Sequence, residues 1–301
     1  MKKILKGIRN PKSAFLYLLK FKISRLLTDS MYTRIKYYLK VGKKLNLENP
    51  QMFNEKLQWL KLNDRNNLYT TLVDKYEVRE YIEKTIGSEH LVPLYGVFDS
   101  PKNINFDELP EQFVLKANHT SGDFFICKNK NEINQEELLK LLNSWMKREY
   151  FWVQREWPYK NVVPKIICEQ LLVQDDTEEL RDYRVFCFHG EPKFIAIDFS
   201  INDKNKVRRN LYDLEWNLLD AQISYPQELE IKINKPEKLD EMLNFSREIS
   251  RDLPHSRIDF YYIKGHIYFG EITFYHQAGF GMITPPEFDQ KLGEWIKINN
   301  E

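Results

Sequence analysis

The chain has 301 residues, 42% of them hydrophobic and 30% charged, with a net charge of +1; this is the composition of a soluble globular protein with ample core for one large domain or two smaller ones, not of a disordered polymer. Thirteen of its 45 Lys/Arg residues but only one of its 44 acids, Asp29, fall in residues 1–44, leaving 32 bases against 43 acids in the rest. A basic arm ahead of an acidic body points to an anionic partner for the arm. The three cysteines, Cys127, Cys168 and Cys187, sit in apolar runs without metal-type spacing and read as buried thiols in a reducing compartment.

In chain order, residues 12–44 read as one or two basic helices, with Gly42 as a stop. The apolar run 14–19 is interrupted by Lys20, Lys22 and Arg25 and has no small-residue cleavage site after it, so neither export nor a membrane span is expected. The expectation is a cytoplasmic protein whose arm docks on its own domain or makes peripheral contact with an anionic membrane or polymer at the inner face. No nucleic-acid partner is expected. Asn49-Pro50 opens a helix to Leu62, and a second helix runs from Asp74 to near Gly87. Residues 91–98 read as a strand. Residues 113–116 and 124–127 read as strands around a polar loop, 117–123, and a helix follows over 135–148. Residues 166–172 are a buried strand, 183–188 and 192–199 form a hairpin across His189-Gly190, and a helix covers 238–252. A last hairpin joins 256–262 to 266–272 around Lys264-Gly265. The order of elements is α+β.

The last hairpin carries the strongest chemical signal. Asp259 on its first strand and Glu271 on its second fall nearly opposite each other across the turn, on one face. Two facing carboxylates repel, and a hard divalent cation such as Mg²⁺ resolves the repulsion; an ordinary solvent-facing acidic pair is the alternative. Lys116 closes an apolar strand just before a Ser/Gly loop, where an ammonium group and loop N–H groups can hold phosphate, or where a lysine simply meets solvent. Glu169 ends an apolar strand and could accept from an exocyclic amine. Asp182 and Arg184 share a strand face, as a site pair or a structural ion pair.

Taken together, residues 70–285 resemble the ATP-grasp superfamily. Asp74-Lys75 and Leu91-Val92-Pro93 look like the stretch supplying the family's first phosphate-contacting lysine, here Lys75. Lys116 with Thr120-Ser121-Gly122 looks like the second lysine and its lid, with Ser121 and Gly122 on the phosphates. Glu169, Gln170 and Leu172 look like the adenine-binding hinge, and Asp182 to Phe186 resembles the corresponding strand of ribosomal-protein glutamate ligases. Arg257 with Asp259, Glu271 and Thr273 resembles the D-alanine–D-alanine ligase pattern of a transition-state arginine and metal ligands, although Thr273 stands where the family commonly has Asn. The string Arg155-Glu156-Trp157-Pro158-Tyr159-Lys160-Asn161 is similar to the TupA-like branch in particular.

The resemblance implies an ATP-grasp fold of two small α+β subdomains holding ATP between antiparallel sheets. It divides the chain into an arm (1–48), a pre-grasp helical region (49–95), a subdomain with the lid (96–172) and a metal-bearing subdomain (173–301). It further implies MgATP as cofactor, with Arg257 and Arg184 as catalytic groups. The implied reaction is a carboxylate–amine ligation through an acyl phosphate. The branch suggests a uronic acid of a bacterial surface polysaccharide and an amino acid or peptide amine as substrates, with Trp157, Tyr159, Lys160, Arg208 and Arg209 as candidate acceptor contacts. A glycosyltransferase of the same pathway is the alternative; it would need an Asp-x-Asp motif, and Asp175-Asp176 is adjacent instead. His119 and His276 read as packing residues.

Overall fold

The computed structural model describes residues 11–19, 21–174, 180–199 and 206–298. The start of the basic arm, Asp175-Asp176 and Lys204 lie outside the described residues. The arm supplies α1 (Pro11–Leu18), a 3-10 turn (Lys22–Leu26) and α2 (Asp29–Val41). Three helices follow, α3 (Phe53–Asn63), α4 (Leu68–Val73) and α5 (Val78–Ile86). Next come β1 (Leu94–Phe98), β2 (Phe113–Ala117), β3 (Phe124–Cys127), α6 (Gln135–Met146), α7 (Tyr150–Gln154) and β4 (Ile166–Gln170). The remainder is β5 (Asp182–Phe188), β6 (Glu191–Phe199), β7 (Arg208–Tyr212), β8 (Gln222–Ile223), α8 (Leu239–Ser250), β9 (His255–Ile263), β10 (His266–Thr273), β11 (Ile283–Thr284) and α9 (Pro286–Trp295).

Local chemistry sets the boundaries. The Thr28 hydroxyl accepts from Met31 N at the start of α2, and Gly42 ends it with φ +80°, a left-handed conformation suited to glycine. The helix expected from Asn49-Pro50 begins only at Phe53, because Glu55 reaches back to accept from the Gln51 and Met52 amides at 3.0 and 3.2 Å. Asp74 likewise precedes its helix: its carboxylate accepts from Tyr76 N at 2.8 Å and Glu77 N at 3.3 Å, and α5 starts at Val78. Strand β7, which carries the candidate acceptor contacts Arg208 and Arg209, was not expected from the sequence; it pairs with β6 and buries Arg209 and Asn210.

The described strands form three antiparallel sheets, one of four strands in the order β1-β4-β2-β3, one of five in the order β10-β9-β5-β6-β7 and a two-stranded β11-β8 ribbon. Strand alternation gives each sheet two unlike faces. In the small sheet Phe113, Leu115, Ile166 and Cys168 form a core with Leu138, Leu142 and Trp145 of α6, while Lys116 and Glu169 take the opposite face. In the large sheet Tyr183, Val185, Ile195, Ile197, Ile258 and Phe260 join one core with α8, and Phe53, Leu57, Leu72 and Ile82 of α3–α5 belong to that same core. The other face carries Arg184, Asp259 and Glu271 in one cross-strand row.

Asp259 and Glu271 are opposite each other, but not by simple counting. His266 pairs with Ile263 and Phe269 with Phe260, so a regular ladder would set Gly270 against Asp259. A β-bulge between Phe269 and Glu271 shifts the register and brings Glu271 opposite Asp259. A side chain at Gly270 would meet the Asp259 carbonyl at 3.0 Å, which is why the extra residue is glycine. No helix among the described residues is long and apolar enough to cross a membrane.

Candidate active site

The polar faces of the two sheets turn toward a common cleft of about 290 Å³, near the lower end of the roughly 300–1,000 Å³ usual for small-ligand sites. Its walls include Lys75, Lys116, Ser121, Gly122, Glu169, Asp182, Arg184, Arg257, Asp259 and Glu271. Ten expected site residues thus share one cavity. Three do not line it. Gln170 falls on the far side of β4 from Glu169 by strand alternation and is exposed, and Leu172 lies beyond the strand end. Thr273 stands behind Glu271 and donates its hydroxyl to Glu271 Oε1 at 3.0 Å.

The small-sheet wall is cationic. Lys116 Nζ donates to Glu169 Oε2 at 2.7 Å, and Arg79 Nη1 donates to Glu169 Oε1 at 3.2 Å. The Glu169 carboxylate expected at an adenine edge is therefore held between two cations. Arg79 was missed by sequence reasoning; it stands in the first turn of α5, four residues after Lys75. Lys75 donates to the Thr120 carbonyl at 2.6 Å. Burial depresses the Lys75 ammonium, with Glu271 across the cleft opposing the shift. The loop from 118 to 123 is pinned at its base. Asn118 donates to both Asp74 oxygens at 3.0 Å and accepts from Lys165 N at 2.6 Å. At its tip Ser121 and Gly122 are exposed, and Gly122 has φ +83°. His119 is buried, its Nε2 3.2 Å from the Trp145 carbonyl.

The large-sheet wall interlocks acids with guanidiniums. Arg257 makes a bidentate pair with Asp259, at 2.7 and 2.6 Å, and also donates to Glu271 Oε1 at 2.9 Å. Burial would lower the Arg257 guanidinium, but the Asp259 carboxylate more than offsets this and raises it. Burial likewise opposes ionisation of Glu271, yet Arg257, Lys75 and Thr273 hold it below the usual carboxylate range. Arg184 donates to Asp182 at 2.7 Å and to Asp198, and its Nε lies 3.7 Å from Asp259. Asp198 also accepts from Arg209 Nε at 2.5 Å and Nη2 at 2.7 Å. His276 stands between Arg257 and Arg209, each 2.9 Å from one ring nitrogen. Burial and these guanidiniums push its pKa well down; a neutral imidazole has one acceptor nitrogen, so it can accept from only one of the two arginines. Asp198 and Arg209 were not read as part of this network, since each gains its role only through pairing of β6 with β7.

The remaining candidates do not line the cleft. Tyr159 packs edge-on to Tyr150 at 4.7 Å, the Arg65 guanidinium covers Trp157 at 5.3 Å, and Lys160 Nζ lies over Phe151 at 5.3 Å. Arg208 opens β7 and donates to the Val207 carbonyl at 3.3 Å.

Among the described residues no cluster of three or more His, Cys, Asp or Glu forms a self-sufficient metal site. Asp259 and Glu271 supply two facing carboxylates at a cleft lined by ammonium groups. That donor set fits Mg²⁺ carried in with phosphate oxygens and water, the usual way this ion is held, and it fits a polyphosphate between the two walls.

A family model described as TupA-like ATPgrasp matches residues 55–297. No curated protein is significantly similar to the chain. Among solved structures, the chain is similar to a D-alanine–D-alanine ligase from Bacillus anthracis complexed with ATP, at 15% identity and TM-score 0.39, covering 67% of this chain and 55% of that one. The ATP-grasp ligase PsnB complexed with minimal precursor, Mg and ADP matches at 10% identity and TM-score 0.41, covering 81% and 66%. An ADP complex of N5-carboxyaminoimidazole ribonucleotide synthetase matches at 14% identity and TM-score 0.42, covering 73% and 50%. The chain thus spans between half and two thirds of the length of these structures.

Proposed function

We infer that this chain, which belongs to the TupA-like ATP-grasp family, uses ATP to join a carboxylate to an amine, forming an amide through an acyl phosphate. The observation that carries this reading is the shared cleft, with Lys75 and Lys116 on one wall facing Asp259, Glu271 and Arg257 on the other. Phosphoryl transfer depends mostly on positioning and on neutralising charge. Lys75 and Lys116 would bind the phosphates, and the exposed Ser121-Gly122 tip would close over them with its N–H groups. Asp259 and Glu271 would hold Mg²⁺, which when bound neutralises phosphate charge and orients the oxygens. Arg257 and Arg184 would steady the acyl phosphate and the oxyanion formed as the amine attacks, a contribution of about 3 kcal/mol for one well-placed donor. Their fixed pairing with Asp259, Asp182 and Asp198 supports that role, because it sets both guanidiniums before substrate arrives.

The substrates we propose are a uronic acid of a bacterial surface polysaccharide and an amino acid or short peptide, with the enzyme working in the cytoplasm. Support comes from the family's TupA-like designation and from the guanidinium-rich wall, which suits carboxylate ligands. The test is incubation of the protein with MgATP, uronic-acid oligosaccharides and amino acids. ADP and phosphate release together with an amide-linked product by mass spectrometry is expected. Nucleotide-sugar consumption with UDP release and no amide would replace this reading with a glycosyltransferase.

A further inference from the structure

The N-terminal arm has two unlike sides. Its inner side is bolted to the body. Tyr32 donates to the Val153 carbonyl at 2.8 Å, and the buried Arg155 donates to the Ser24 carbonyl at 2.9 Å and pairs with Asp29 at 3.1 Å. The Arg155 guanidinium also lies 4.6 Å from the rings of Tyr32 and Trp152. The outer side is apolar. Phe15, Tyr17, Leu18, Phe21, Ile23 and Leu26 are between 47% and 86% exposed, Leu26 most of all. Single exposed apolar residues are ordinary on a soluble protein, but six within a dozen positions form a patch that calls for a partner.

Charge selects the partner. Lys12 and Lys22 stand exposed at the edge of the patch, and Asp29, the only acid in residues 1–44, is taken up by Arg155. Glu149 of the body pairs with Arg25 at 3.0 Å and Lys12 Nζ lies 5.9 Å over the Tyr38 ring, so the rim carries both signs but keeps a cationic excess in Lys12 and Lys22, the pattern that binds in the headgroup zone of an anionic bilayer. A symmetric arm-to-arm contact with a second copy of the chain would meet like-charge repulsion.

We propose that Phe15, Tyr17, Leu18, Phe21, Ile23 and Leu26 form a docking surface for an anionic lipid bilayer, with Ile23 and Leu26 entering the headgroup boundary and Lys12 and Lys22 meeting lipid phosphates. The surface lies apart from the cleft, so the proposal stands independently of the ligase reading.

The test is co-sedimentation of the full chain, without nucleotide, with vesicles of phosphatidylcholine alone or mixed with phosphatidylglycerol. Binding to the mixed vesicles only, weakened by salt, is expected. A double variant, Ile23→Ser with Leu26→Ser, should lower the bound fraction about tenfold, and Lys12→Glu with Lys22→Glu should do so separately. ATP hydrolysis and circular dichroism of both variants should match the parent. Equal binding to neutral vesicles, or binding unchanged in both double variants, would overturn the proposal. So would a parent dimer that the serine variant converts to monomer without any vesicle binding, or retention of a soluble acidic glycan in place of vesicles.

Discussion

The two walls of the cleft hold their charges differently. On the wall built by the four-stranded sheet and the stretch leading into α5, Lys116 and Arg79 share one carboxylate, and Lys75 rests on a backbone carbonyl. On the five-stranded sheet Arg184, Arg209 and Arg257 interlock with Asp182, Asp198, Asp259 and Glu271, so that each guanidinium meets at least one acid. Lightly tied cations can turn to an incoming phosphate, whereas interlocked ions are set in advance and their loss leaves unpaired charge in the sheet. The first wall should matter to ligand binding, the second to both binding and folding.

The strongest way to break this comparison is Arg257→Ala. It leaves the 4%-exposed Asp259 without its bidentate partner and with only Arg184 Nε at 3.7 Å, and removing one partner of such a buried pair costs roughly 3–5 kcal/mol; urea unfolding should show that loss. Lys116→Ala should stay within about 1 kcal/mol of the parent in the same experiment, because Glu169 keeps Arg79. A comparable loss in both would erase the distinction between the walls. For turnover the walls should agree instead: Lys116→Ala and Glu271→Ala should each lower ATP consumption by about 10²–10³-fold with far-ultraviolet circular dichroism unchanged.

A smaller effect comes from the interior of the large sheet. Burial pushes His255 down from 6.5 to about 3, and its Nδ1 donates to the Cys187 carbonyl at 2.9 Å. Folding therefore excludes a proton that the unfolded chain binds. The stability is fully present above pH 6.5 and is lost as pH falls toward 3, by about 2 kcal/mol between pH 6.5 and 5. His255→Gln should flatten that slope in denaturant titrations; a parallel slope would contradict the assignment. Smallest of all, Gly270→Ala sets a methyl 3.0 Å from the Asp259 carbonyl in the bulge and should cost about 1 kcal/mol in urea unfolding; an unchanged midpoint would contradict the close approach.

The sequence was most readable where chemistry and strand pattern coincide. Lys116 closes a short apolar strand, and Asp259 and Glu271 sit on two strands flanking a turn with a glycine, so residue type and place in a hairpin nominated them, while their sharing one face depends on the bulge. The bulge at Gly270 was not readable, because counting from the turn gives the wrong partner for Asp259. The pairing of Asp198 with Arg209 escaped notice for a related reason: it depends on β7, whose polar run Arg208-Arg209-Asn210 shows none of the apolar alternation that marks a strand. Helix α9 and the short α4 and α7 were also not foreseen; α4 and α7 are only six and five residues long, too brief for a 3.6-residue period to register.

The central claim is that one nucleotide binds across both walls at once. Calorimetric titration with magnesium and a non-hydrolysable ATP analogue tests it directly, using the parent, Lys116→Ala and Glu271→Ala. One bound analogue in the parent, weakened about 100-fold by either substitution, is the predicted result; parent-like affinity in either variant would contradict it.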